Sequence, residues 1–132
     1  MRLNKAGEYA VRCVMHLAKN CNGNVISRRE VAKAMEIPEP FLAKIARQLT
    51  LAGILEVTQG SKGGYRLAKD PGELSLLEVV EAMMGEIFLN DCLCRPKICK
   101  RSPTCPAHRV WEKANQHLRS TLQNATIAQI SR

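Results

Sequence analysis

Four cysteines and a histidine lie close together in the last third of the chain. Cys92, Cys94, Cys99 and Cys105 fall within 14 residues, and His108 follows three places after the last of them. Thiolates and imidazoles are ligands of zinc and of iron–sulfur clusters, and grouped thiols also carry redox chemistry. The spacing C-x-C-x4-C-x5-C-x2-H is neither that of a zinc ribbon nor that of a bacterial ferredoxin. From the spacing alone, an iron–sulfur cluster and a zinc ion are equally consistent, and metal-free redox thiols are a third interpretation.

Basic residues surround these cysteines and favour the thiolate form, which is the form that binds metals. They are Arg95, Lys97, Lys100, Arg101 and Arg109. Cys105 and His108 also have the types of a nucleophile and its base, but no third orienting group is evident, so an enzyme is not expected. Cys13 and Cys21 have no nearby sequence partner and are interpreted as structural.

The charge of the chain favours a polyanionic partner. The net charge is +8 over 132 residues, and residues 1–70 carry 12 Lys and Arg against 6 Asp and Glu. Only five residues are Phe, Trp or Tyr, which argues against stacking on single-stranded nucleic acid and leaves double-stranded DNA. Neither a signal peptide nor a run of about 18 apolar residues is found, so we expect a cytoplasmic protein without a membrane segment.

The N-terminal half has the pattern of a winged helix-turn-helix. Apolar residues at helical spacing predict a first helix over 5–19. Ser27 and Glu30 form a capping-box pattern that opens a second helix over 28–35, and prolines at 38 and 40 mark the start of a third over 39–51. Two short strand-like runs, 54–58 and 65–68, then flank the glycine-rich tip QGSKGG, which predicts a β wing.

The C-terminal half predicts a helix, the cysteine loop and a long final helix. Ser75 and Glu78 repeat the capping pattern and open a helix that ends near Gly85. A long helix starts near Pro106, and its apolar stripe predicts packing against a second copy of the chain; the stripe is Val110, Ala114, Leu118, Leu122 and Ala125. The fold class is therefore mainly α with a small β wing. We divide the chain into a winged helix-turn-helix DNA-binding domain (1–72) and a second part (73–132) that holds the cysteine loop (90–106) and the dimerisation helix.

The third helix is the candidate recognition helix, because its first residues would enter the DNA major groove. Glu39 could accept a hydrogen bond from cytosine, and Pro40 or Phe41 could touch a thymine methyl group. Lys44 and Arg47 could reach guanine or phosphate. Arg28 and Arg29 suit phosphate contacts, and the wing would reach the minor groove. The predicted DNA contacts are Arg28, Arg29, Glu39, Pro40, Phe41, Lys44, Gln59 and Lys62.

Several segments together resemble the Rrf-type bacterial transcription regulators, which include IscR-like iron–sulfur regulators and NsrR-like nitric-oxide sensors. The segments are MRLNKAGEYAVR, IPEPFLAKIARQLTLAGIL, QGSKGGYRLAKD, LSLLEVVEAMMG, the cysteine loop and HRVWE. The resemblance implies a homodimer that binds operator DNA and holds an iron–sulfur cluster beside the dimerisation helix. Gln59 departs from the family, since many relatives carry arginine there, and we expect weaker or altered minor-groove reading.

The resemblance also implies a ligand set for the cluster. Three family cysteines correspond to Cys92, Cys99 and Cys105, with Cys92 preferred over Cys94 because the letters DCL match the usual context of the first cysteine. For the fourth ligand, His108 matches the IscR-like pattern, Glu8 matches an acidic residue that some NsrR-like members supply from the other subunit, and Cys94 is extra. The cluster type, [2Fe-2S] or [4Fe-4S], therefore stays open.

The sequence thus predicts a DNA-binding transcription regulator whose affinity for DNA is controlled by an iron–sulfur cluster that senses redox state, iron or nitric oxide. One alternative is a cluster-free thiol regulator, in which Cys92 or Cys94 forms a disulfide under oxidation. A second alternative is a zinc-stabilised interaction module with no role in DNA binding.

Overall fold

The protein folds as a helical body that carries a short β hairpin. The structure, a computed structural model, describes residues 2–20, 23–95, 97 and 100–132. The elements of these residues are α1 (Lys5–Asn20), α2 (Arg28–Met35), α3 (Glu39–Leu51), β1 (Leu55–Thr58), β2 (Gly64–Leu67), α4 (Leu76–Met84), α5 (Asp91–Cys94), α6 (Pro106–Asn124) and α7 (Ile127–Ile130). This order confirms the predicted winged helix-turn-helix followed by a long C-terminal helix. In the described part of the chain, no helix has the length and apolar character needed to cross a membrane.

Helix α2 begins and ends where the sequence predicts, because local signals mark both ends. The Ser27 hydroxyl accepts a hydrogen bond from the Glu30 N–H at 3.1 Å, which satisfies a donor that the first turn leaves without a partner. Glu36 then ends the helix in the left-handed region, with φ 55°. This sharp change of direction lets α3 start at Glu39 and cross α2 as a helix-turn-helix requires.

The wing is the antiparallel pair of β1 and β2, in which Leu55 faces Leu67 and Thr58 faces Gly64. Strand β1 starts one residue after the start of the predicted run 54–58, and β2 lies one residue before the predicted run 65–68. Just outside the strands, the Ala68 N–H donates to the Ile54 carbonyl at 2.8 Å. A further bridge joins Tyr65 of β2 to Ile26, with backbone bonds of 2.8 and 2.9 Å. The base of the wing is thereby held against the start of α2.

Helix α1 lies at the centre of the core. Ala10, Cys13, Val14 and Leu17 form one face and are completely buried. Burial raises the pKa of the Cys13 thiol to about 12, so this cysteine stays protonated and behaves as a core side chain, as predicted. Cys21, the other predicted structural cysteine, lies outside the described residues.

The C-terminal half packs on the same core. Leu74, Val79 and Ile127 are buried together with residues of α1 and α3. The division of function near residue 72 stays a prediction.

The end of the chain differs from the predicted single long helix. Helix α6 stops at Asn124, and Ala125 is extended, with its carbonyl accepting from the Leu76 N–H at 2.8 Å. Thr126 and Gln129 then form a capping box that starts α7. The reason is that Ile127 must turn back into the core, where it is fully buried. A T-x-x-Q pattern in the sequence carried this signal.

Candidate nucleic-acid interface and cysteine site

A groove of about 670 Å³ runs between the start of α2, the exposed face of α3 and the wing. We call it the wing groove. Four of the eight predicted DNA contacts line it, namely Arg28, Arg29, Glu39 and Gln59. The structure thus brings together the helix starts and the hairpin that a winged helix uses to hold a duplex.

Arg28 links the three elements of the wing groove. Its Nε donates to Glu39 Oε1 at 3.2 Å, so the carboxylate predicted to read cytosine is engaged within the protein. Arg28 also interacts with the hydroxyl of Tyr65 on β2. Burial raises the pKa of Tyr65, and the nearby Arg28 opposes that rise. Both side chains of the ion pair are about half exposed, so a DNA phosphate can compete for Arg28.

The other predicted contacts lie outside the lining of the wing groove. Phe41 packs edge-on against Tyr9 of α1, with ring centroids 5.4 Å apart, and is 37% exposed. Its ring therefore joins α3 to α1, which limits the contact with a thymine methyl group that the sequence suggested. Pro40, Lys44 and Lys62 are exposed, with Lys62 at the tip of the wing.

Sequence reasoning missed part of the α3 surface that faces the wing. Ala43 and Leu51, which the sequence did not single out, line the wing groove together with Arg47, which was predicted to reach guanine or phosphate. These residues follow Glu39 at intervals of four, so they share its side of the helix. Leu51 is 81% exposed, an unusual position for a leucine in a small domain. The four-residue spacing was the signal that could have found them.

The cysteine site forms where α5 meets the first turn of α6. The Cys92 sulfur lies 3.3 Å from Nδ1 of His108, although the two residues are 16 positions apart. Cys105 is the residue before α6 and is half-buried, whereas Cys94 at the end of α5 is exposed. Cys99 lies outside the described residues. The short helix α5 was not predicted, because four residues are too few to show a helical pattern.

The donors at this site suit a soft or borderline metal. A thiolate and an imidazole match the preferences of iron and zinc. In residues 2–20, 23–95, 97 and 100–132, no group of three or more His, Cys, Asp or Glu side chains is close enough to hold a metal ion. The pair of Cys92 and His108 is thus two donors of the predicted set of Cys92, Cys99, Cys105 and His108, and that full set stays a prediction.

A polar network ties the segment before the cysteine site to α6. Glu81 of α4 accepts from Arg119 of α6 at 2.5 Å and from the Ile87 N–H at 2.9 Å. The Leu89 N–H donates to Asn115 Oδ1 at 3.0 Å. Burial alone would raise the pKa of Glu81, but the bonds from Arg119 and Ile87 lower it below its ordinary value. No local sequence pattern predicts this network, because its partners lie 6 to 38 positions apart.

Helix α6 is only lightly covered by its own chain. None of its 19 residues is buried, and Val110 and Trp111 are 61% and 44% exposed. Leu118 and Leu122 of the predicted apolar stripe pack beside Leu77 and Val80 of α4. An open groove of about 490 Å³ lies between α1, α4 and α6; its lining includes Leu3, Glu8, Val11, Arg12, Leu118 and Leu122. We call it the α1–α6 groove.

Known proteins share this sequence and fold. The chain is 36% identical over 129 residues to protein aau3 of Rhizobium meliloti, covering 96% of this chain and 82% of the relative. It is 25% identical over 130 residues to the HTH-type transcriptional regulator IscR of Cronobacter sakazakii, covering 98% and 79%.

Solved structures share the fold at lower sequence identity. The global cysteine regulator CymR of B. subtilis superposes with a TM-score of 0.84 at 20% identity, over 99% of this chain and 96% of that one. The oxidised form of Staphylococcus aureus CymR gives a TM-score of 0.79 at 22% identity, over 100% and 97%. Residues 3–132 match the family Rrf2, described as an iron-dependent transcriptional regulator. The relatives are regulators rather than enzymes, and this DNA-binding chain belongs to the Rrf2 family of transcriptional regulators.

Proposed function

We propose that the protein is a dimeric transcription regulator of the cytoplasm whose affinity for operator DNA is controlled by an iron–sulfur cluster. The observation that carries this proposal is the contact between Cys92 and His108, which joins two predicted ligands from separate helices. The family's description as iron-dependent supports it. When bound, the cluster would supply a centre whose charge and stability depend on redox state, iron or nitric oxide.

We propose Cys92, Cys99 and Cys105 as the cysteine ligands, with three candidates for the fourth. His108 is supported by its distance of 3.3 Å from the Cys92 sulfur. Glu8 lies in the α1–α6 groove, where a second copy would pack, and a carboxylate there could serve the partner's site. Cys94 is exposed on the same short helix as Cys92. A [2Fe-2S] or a [4Fe-4S] cluster is consistent with these alternatives.

A homodimer is supported by the surface of α6. This 19-residue helix has no buried residue and lies beside an apolar groove, and exposed apolar surface of this kind is typical of a protein–protein interface. In the proposed dimer, two-fold symmetry places two recognition helices in successive major grooves of a palindromic operator. Arg28 and Arg29 contact phosphates, and the wing residues Gln59 and Lys62 reach the minor groove.

Control of DNA binding is proposed to act through residues 90–106. A change in the ligation of Cys92 and His108 alters how α5 rests on the first turn of α6. Because α6 is the dimer helix in this proposal, its shift changes the spacing between the two recognition helices and their fit to the operator.

The first test is anaerobic purification followed by a visible spectrum and by iron and sulfide analysis. The proposal expects a coloured protein with iron and sulfide, and Cys92→Ser and His108→Ala variants that each hold less. Cys94→Ser tests the alternative fourth ligand: it should leave the iron and sulfide content unchanged if His108 fills that position. A protein that stays colourless after reconstitution would overturn the cluster.

A second candidate function is a metal-free thiol regulator, and the same contact favours it. A histidine side chain lies beside the Cys92 thiol, and Cys94 is exposed on the same short helix, where an oxidant can reach it. In this case the colourless, reduced protein binds its operator, and oxidation of Cys92 or Cys94 changes the affinity. A zinc-stabilised module without a DNA role is the third candidate. Unlike the cluster regulator and the thiol regulator, a zinc-stabilised module would not bind a DNA duplex in a salt-dependent way.

A further inference from the structure

Three polar residues of α6 form one stripe along the helix. His108, Asn115 and Arg119 are seven and four positions apart, which places them on the same side of an α-helix. Each meets a different point on the chain that leads from α4 to the cysteine site. His108 contacts Cys92, Asn115 accepts from the Leu89 N–H, and Arg119 binds Glu81 and lies 3.4 Å from the Ile87 carbonyl.

The segment 85–89, which we call the connector, is bonded to these side chains and packs through Ile87 against Leu77 and Val80. Its residues lie between the end of α4 and the start of α5, and Ile87 and Leu89 each donate a backbone N–H to a side chain of a neighbouring helix. Ile87 is buried, so its N–H needs such a partner. The backbone position of the connector therefore depends on where α6 lies relative to α4.

Helix α4, at the other end of the network, packs on the DNA-binding half. Its residue Val79 is fully buried in the core that α1 and α3 share. Glu81 lies half-buried one turn before the end of α4, and its side chain and that of Arg119 are 23% and 29% exposed. Ion pairs with this degree of burial and paired hydrogen bonds are stronger than surface pairs.

We infer that Glu81, Asn115 and Arg119 are positioning residues that carry the state of the cysteine site to the DNA-binding half. They do so by fixing the connector to α6 at one end and α6 to α4 at the other. The inference rests on the proposed control of DNA binding by the cysteine site. None of the three residues is a proposed ligand or a proposed DNA contact, so their role is separate from both sites.

The test compares Glu81→Gln and Asn115→Ala with Glu78→Gln. Glu78 is the matched control, because it lies one turn earlier on α4 and forms an ion pair with Lys69 at 2.9 Å on the surface. The first readout is hydrogen exchange of peptides covering 85–94. We expect exchange about tenfold faster in Glu81→Gln and Asn115→Ala, and no change in Glu78→Gln. Peptides from α2 report whether the whole protein has loosened.

The second readout is the ratio of DNA affinities of cluster-loaded and cluster-free protein. The probe is a duplex selected by the wild-type protein from a randomised pool. We expect Glu81→Gln and Asn115→Ala to lower this ratio by about 2- to 30-fold while their iron content stays at the wild-type level. Arg119→Lys keeps the charge and one donor, so it should retain most of the ratio.

The outcomes separate the inference from the function on which it rests. If cluster-loaded and cluster-free wild-type protein bind DNA with equal affinity, the proposed control by a cluster is overturned, and so is the inferred role of the three positioning residues. A clear wild-type ratio that Glu81→Gln and Asn115→Ala leave unchanged overturns the inference alone. Unchanged exchange in 85–94 overturns the role of these side chains in holding the connector.

Discussion

Replacing Gly64 of the wing by alanine is expected to have a large destabilising effect for a single added methyl group. A Cβ atom at this position would lie 2.2 Å from the carbonyl oxygen of Ile26 and 2.5 Å from its carbon. These are backbone atoms, so no side chain can rotate away to make room. The Gly64→Ala variant must separate the wing from the start of α2 and break both backbone bonds between Ile26 and Tyr65.

The decrease in the free energy of unfolding has two parts, the lost hydrogen bonds and the strain of the added methyl group. Two backbone hydrogen bonds contribute about 1 kcal/mol each, and forcing an extra methyl group into a packed site costs roughly 1–3 kcal/mol. We therefore expect Gly64→Ala to lower the free energy of unfolding by about 3–5 kcal/mol. For a domain of marginal stability this is a large fraction of the total. Urea unfolding followed by circular dichroism measures it.

Gly60→Ala is the control in the same hairpin. Gly60 has φ 103° and open space where its Cβ would lie, so only backbone strain is added, roughly 1–2 kcal/mol. If Gly64→Ala costs no more than Gly60→Ala, the assignment of the Ile26–Tyr65 bridge as the anchor of the wing is refuted. Weaker duplex binding by a folded Gly64→Ala protein would show that the same anchor aligns the wing groove.

Three further predictions test the DNA surface, the buried thiol and the ion pair. Replacing Arg28 and Arg29 together by Ala should reduce the slope of log affinity against log salt by roughly 2, whereas Lys113→Ala, on exposed α6, should leave the slope unchanged. Cys13, with its pKa raised to about 12, should resist iodoacetamide at about pH 8 in the native protein while exposed Cys94 reacts; mass spectrometry that finds Cys13 labelled first would contradict its burial. The pKa of Glu81 is lowered from 4.5, so its stabilising contribution is complete above that value and is lost as the pH falls through the folded-state pKa. Acid titration of unfolding free energy should therefore show a smaller loss in Arg119→Met than in wild type.

Local signals in the sequence were enough to predict the wing and the starts of α2 and α4. Helices α2 and α4 begin where Ser27 and Ser75 accept from the N–H three residues later, at 3.1 Å in both cases. Such caps act within four residues, so one sequence contains all the information. The glycine-rich tip likewise predicted the wing, because a hairpin turn also depends only on its neighbours.

Contacts between distant helix faces could not be predicted in the same way. The pairing of Glu81 with Arg119 depends on how α6 is rotated and shifted along α4, which neither segment determines alone. The packing of Phe41 on Tyr9 depends in the same way on the crossing of α3 and α1. Because of this packing, the ring of Phe41, a predicted DNA contact, lies against α1. The sequence analysis placed Cys92 and His108 in the same predicted ligand set, but it did not predict their direct contact. The spacing of residues in a loop does not determine where their side chains lie.

In the proposed control of DNA binding, the weak local structure of the cysteine site would allow it to rearrange. Helix α5 has four residues and no buried side chain, and the bonds that attach it and the connector to α6 include those of Cys92, Leu89 and the Ile87 carbonyl. Bonds of this kind contribute about 1 kcal/mol each, which is comparable to the 1–3 kcal/mol of a typical allosteric coupling. A change of ligand or oxidation state at Cys92 can therefore rearrange α5 without unfolding α1 or α3, whose fully buried side chains resist movement. In the proposed control, the ion pair of Arg119 with Glu81 would link a change at the thiols to α4, which shares a buried core with α3.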